Sequence, residues 1–220
     1  MTWRRAFLAA VLTVVVSGVL IGATPSSSAP VRSATLSSVV LKAAQVGPGY
    51  VLQMRADSHC VQRCVTLDMC GFHFKSEAER IARLQVNYVK KGAALKLSNE
   101  VVRYQTGGTA LAVREINRAV KTCPSGPVKS SLGGLVTYRI HRFTAAGLLP
   151  EAIDLRIHES GTYNGHAFSG TFVAIYQVRG RLLSGVYAEV PAGSTVAATR
   201  TFAVHAARAS AKNLEQSRSD

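Results

Sequence analysis

Two groups of residues have the types and spacing for chemistry. The first is His59, Cys60, Cys64, Cys70 and His73, a dense run of thiols and imidazoles in the pattern C-x3-C-x5-C-x2-H. Such a set either holds a metal or forms disulfides. The spacing matches no usual zinc pattern, and thiols outside the cytoplasm oxidise, so disulfides are the expectation and neither metal nor cofactor is expected. The chain has four cysteines, at 60, 64, 70 and 123. An even number in an exported chain reads as two bridges, with three pairings open. Cys60 and Cys64 share the polar loop ADSHCVQRC and can close a small ring, which leaves Cys70 for Cys123.

The second group lies on alternating segments. Arg139 and His141 fall on one side of their strand with Phe143, while Asp154, Arg156 and His158 alternate with Ile153, Leu155 and Ile157 on the next. If helices cover the apolar side, these five residues form a basic, histidine-bearing surface or the wall of a cleft, suited to an anionic ligand. Histidine gains charge as pH falls through about 6.5, so binding there would strengthen in acid. The plain alternative is a solvated sheet face. Tyr163, Tyr176 and Tyr187, on adjacent strands, read as packing residues before they read as a stacking platform.

No motif of an enzyme accompanies them. The chain lacks a G-x-S-x-G elbow, an H-E-x-x-H pair and a G-x-x-x-x-G-K-[ST] loop. Its twelve acidic residues contain no spaced pair resembling a glycosidase dyad. Catalytic residues can meet in space alone, so an enzyme with Asp154 or His158 as general base in an apolar cavity stays as the alternative to a binding domain.

The elements that position these groups follow from periodicity. Leu36 to Val46 carries a helical apolar stripe and stops at Gly47-Pro48-Gly49. Tyr50 to Met54 reads as a short strand, and Ser76 with Glu79 as the start of a brief helix. Residues 82 to 88 alternate, with Leu84, Val86 and Tyr88 on one side and Arg83, Gln85 and Asn87 on the other, which is a half-buried strand. Leu97 to Gln105 pairs with it across Lys90-Lys91-Gly92. A helix opens at Gly107-Gly108-Thr109, keeps Ala112, Ile116, Ala119 and Cys123 on one stripe, and ends at Pro124. Leu135 to Phe143 is a strand, followed by three alternating runs over 152–163, 166–178 and 182–190. Asn164-Gly165 and Arg179-Gly180 make these three antiparallel neighbours. Ser194 to Leu214 is an Ala-rich terminal helix. The expected fold is therefore α+β: one domain, a mostly antiparallel sheet of about six strands, helices packed on one face, and two disulfides.

Arg4 and Arg5, the apolar run from Ala6 to Ile21 and the small residues to Ala29 are the three parts of a secretory signal, and Arg4-Arg5-Ala6-Phe7-Leu8 also resembles a twin-arginine signal. A retained anchor is the alternative reading of the same run. The expected organisation is a signal peptide over 1–29, a linker over 30–35, the domain over 36–214 and a tail over 215–220. Cleavage after Ala29 leaves 191 of 220 residues and lowers the formal charge from +14 to +12. That excess favours anionic partners such as lipid head groups and acidic cell-wall polymers, with nucleic acid disfavoured outside the cell. The same charge is also what a soluble surface of one sign would carry.

The export signal, the first helix followed by a cysteine loop, and the segment LSNEVVRYQTGGTALAVREINRAVKTCP together resemble the extracellular sensor domains of PknH-type actinobacterial kinases and their stand-alone secreted relatives. The resemblance implies a disulfide-bearing domain with a ligand cleft outside the membrane. The chain has no kinase segment, so a signalling role is not implied, and no ligand residue carries over. The expectation is a secreted, non-catalytic, sensor-like binding domain of the cell envelope. It would hold an anionic or amphipathic ligand, or an extracellular protein partner; a purely structural or protein-interaction module is the remaining alternative.

Overall fold

A computed structural model describes residues 36–56, 65–90, 92, 95–130, 133–163 and 165–217. The expected signal peptide, the linker, the loop carrying Cys60 and Cys64, and residues 218–220 lie outside the described residues.

Among the described residues eight strands form one antiparallel sheet: β1 (Tyr50–Ala56), β2 (Arg80–Lys90), β3 (Lys96–Tyr104), β4 (Val128–Lys129), β5 (Leu135–Phe143), β6 (Ile153–Tyr163), β7 (His166–Arg179) and β8 (Leu182–Glu189). Their order is β1-β2-β3-β8-β7-β6-β5-β4. Two meanders thus meet at β3 and β8. The chain reaches the second by crossing from the sheet's middle to its far edge, and α2 (Gly108–Lys121) lies on that crossing. A short helix α1 (Ala43–Val46) precedes the sheet, a 3-10 turn (Lys75–Glu79) precedes β2, and α3 (Val196–Gln216) closes the chain.

The sheet has eight strands and not about six, because β1 joins it as an edge strand and β4 adds a two-residue pairing too short to show as alternation. Helices cover both faces, where alternation placed them on one. Parity along the strands separates two cores. Val101, Val173, Ile175 and Val186 pack under α1 and α3, with Ala203, Ala206 and Ala207 of α3 against them. Their strand neighbours Val102, Ala174, Tyr176 and Leu183 pack on the other face under Ala112, Ile116 and Ala119 of α2. Consecutive buried residues over β7 and β8 are the signature of strands covered on both sides.

The expected first helix is broken. A helical turn over 36–39 gives way before α1, because the Leu41 amide leaves the helical ladder to donate to Asn99 Oδ1 of β3 at 2.9 Å. Cys70 and Cys123 are bridged, with Cα atoms 5.0 Å apart. The staple ties the segment ahead of β2 to the end of α2. The partner pairing of Cys60 with Cys64 lies outside the described residues.

Candidate functional site

β5 and β6 pair in a register that sets Arg139 opposite His158 and His141 opposite Arg156. Opposed side chains start about 5 Å apart, and same-face neighbours along a strand about 7 Å apart. The four side chains therefore root at the corners of a small rectangle, arginines on one diagonal and histidines on the other. This is the face that carries α1 and α3, but α3 packs on β7 and β8. Arg139 and His141 are left exposed, and Arg156 and His158 partly so.

The electrostatics of this rectangle are one-sided. Arg139 and Arg156 make no ion pair or side-chain hydrogen bond among the described residues, whereas Arg55, Arg142, Arg181, Arg200 and Arg208 are each held by a hydroxyl, amide or carbonyl. His158 Nδ1 lies 3.0 Å from Thr171 Oγ1 on β7, which fixes the ring against the sheet. The hydroxyls of Thr137, Ser160 and Thr171 share the face by register. Like charges placed opposite each other on a sheet are destabilising, and the register brings no acidic side chain into this rectangle.

Asp154 is on the same face but does not join the other four. It is buried, its Oδ2 accepts the Ala145 amide at 3.0 Å, and burial raises its pKa. Arg200 of α3 stacks over Phe143, 4.3 Å from the ring centre, and donates to the Thr144 carbonyl at 2.9 Å. Asp154 thus pins the 144–152 loop beneath α3, a structural task. Of the five expected site residues, the register brings together Arg139, His141, Arg156 and His158.

A second polar cluster, on the α2 face, was not apparent from the sequence. Arg83 and Glu100 form an ion pair with both side chains buried. Thr66 donates to Glu100 at 3.0 Å, and Arg80 reaches both Thr66 and Glu77. Glu77 accepts the Thr66 and Leu67 amides, and Glu115 of α2 accepts those of Lys75 and Ser76. Alternation put Arg83 toward water; the cysteine-bearing segment covers it instead. The hydroxyls of Tyr104 and Ser76 are buried here with no hydrogen-bond partner among the described residues. Tyr176 and Tyr187 meet edge to face with ring centres 5.6 Å apart, while Tyr163 stands exposed at the end of β6, so the three tyrosines form no platform. On the same face Glu159 sits opposite Tyr138 on β5. Burial, with Asp68 nearby, pushes its pKa up to about 7.

Cys70 is consumed by its disulfide, and no three metal-ligating side chains gather among the described residues. No helix among the described residues is long and apolar enough to cross a membrane. No protein-family model matches the chain, and no curated protein matches it in sequence. Its fold is similar to that in the crystal structure of the extracellular domain of PknH from Mycobacterium tuberculosis. The TM-score is 0.51 at 12% identity, over 83% of this chain and 98% of that one. That likeness is one of fold: an antiparallel sheet with helices, here bearing a disulfide.

Proposed function

We propose that the protein is an extracytoplasmic, non-catalytic binding domain of the sensor type, and that it holds an anionic ligand on the β5–β6 face. The observation that carries this reading is the register that gathers two unpaired arginines and two histidines on an uncovered part of the sheet. The disulfide and the fold shared with an extracellular domain support the compartment. Arg139 and Arg156 are the principal donors, their planar guanidinium groups offering paired N–H bonds to phosphate or carboxylate oxygens. His141 and His158 add ring nitrogens as further hydrogen-bonding groups.

Changing Arg139 and Arg156 to Ala together should weaken retention on a phosphate-bearing matrix far more than changing Arg114 and Arg118 to Ala on the exposed face of α2. Equal losses from the two double variants would leave only nonspecific charge and end this reading.

A further inference from the structure

We infer that the ligand surface for this face is an anionic lipid bilayer, engaged by the outer end of the β5–β6–β7 extension. The inference rests on the anion-binding reading above and adds an apolar contact to it. Leu135 is 54% exposed and Tyr163 is 38% exposed, and they are two of the four exposed large hydrophobic residues among the described residues. They are neighbours in space: Leu135 pairs with Thr162, the residue before Tyr163. Strand parity puts Leu135 on the arginine face and Tyr163 on the other, so each side of the ribbon's tip carries one exposed large apolar residue, with Thr162 and His166 beside them. Thr162 and Tyr163 of β6 and His166 and Ala167 of β7 are exposed, so neither core uses these side chains.

The cations stand behind this tip at a useful distance. Arg139 is four residues from Leu135, about 13 Å along an extended strand. A ribbon entering a bilayer obliquely would bring the Arg139–His158 pair level with the phosphates while Leu135 and Tyr163 reach the acyl boundary. Tyrosine suits that depth, with an apolar ring and a polar hydroxyl. Each basic residue close to an anionic leaflet contributes about fivefold in affinity. A soluble anion would account for the rectangle alone and leave the exposed leucine and tyrosine unexplained.

The test uses the full chain with Trp3→Phe and Tyr163→Trp, so that a single tryptophan reports from the tip. On vesicles of phosphatidylcholine with phosphatidylglycerol, its emission should shift to the blue and be quenched by brominated acyl chains; on phosphatidylcholine alone the effect should be small. Arg139→Ala with Arg156→Ala should lower this partitioning by roughly twentyfold, and Leu135→Ser by several-fold, with circular dichroism unchanged. Arg114→Ala with Arg118→Ala should leave the tip signal in place. Vesicle binding without a tip signal would overturn the inference. So would a blue shift that grows with protein concentration in the absence of lipid, which would mark a second copy as the occupant. Inorganic phosphate, titrated against the arginine variants, separates the two claims: if phosphate binds and the tip ignores lipid, only the bilayer inference fails, and if neither occurs, both do.

Discussion

Glu159 couples its protonation to folding. Its carboxyl is held up to about 7 by burial and by Asp68, against an ordinary value of 4.5. Between those values the folded chain keeps a proton that the unfolded chain releases, so stability falls as pH rises through that window and is level above it. Burial raises Glu77, Glu100 and Asp154 in the same direction. Urea unfolding should therefore show the domain losing stability between pH 5 and pH 7.5, with up to about 3 kcal/mol of the loss from Glu159. Glu159→Gln should flatten that part of the curve. An unchanged slope in the variant would mean that Glu159 is ionised throughout.

Among elements, α2 depends most on a single tie. Cys123, just beyond its last turn, is bridged to Cys70 across a sequence separation of 53, and Glu115 caps the 3-10 turn from its buried face. Closing a loop of that length restrains the unfolded chain by about 4 kcal/mol. Cys70→Ala with Cys123→Ala should lower the calorimetric Tm by more than ten degrees while the far-ultraviolet spectrum keeps its strand character; an unchanged Tm would show the buried polar network to be sufficient alone. This bridge was legible in the sequence, because Cys123 falls on the apolar stripe of a clear helix. The β6–β7 and β7–β8 hairpins were legible too, from alternation and from turns at Gly165 and Gly180. The two-sided cover was not. β2 and β3 present Arg83, Gln85 and Glu100 on a face that pattern alone assigns to water, and only the path of the segment ahead of β2, with Thr66 on Glu100, shows otherwise. The pairing of Arg139 with His158 was equally hidden, since the long 144–152 connection leaves the β5–β6 register open. Alternation named these strands and could not say which rungs meet.

At the scale of the whole molecule the question is whether a formal charge of +14 acts as a diffuse field or through one place. A diffuse field attracts any anion in proportion to ionic strength and gains little from valence or geometry. A rectangle of two arginines and two histidines, with hydroxyls beside it, prefers a compact polyvalent anion that several donors can reach at once. Binding to the folded state alone stabilises by an amount that grows with ligand concentration, about 2.7 kcal/mol at a hundred times the dissociation constant. Phosphate at matched ionic strength should therefore raise Tm above its value in chloride. Arg139→Ala with Arg156→Ala should remove most of that difference, and Arg114→Ala with Arg118→Ala should keep it. If both double variants respond to phosphate as the unchanged protein does, the charge works as a field and the β5–β6 face holds no privileged position. If only the first loses the response, the unpaired arginines are where the molecule's positive excess becomes recognition.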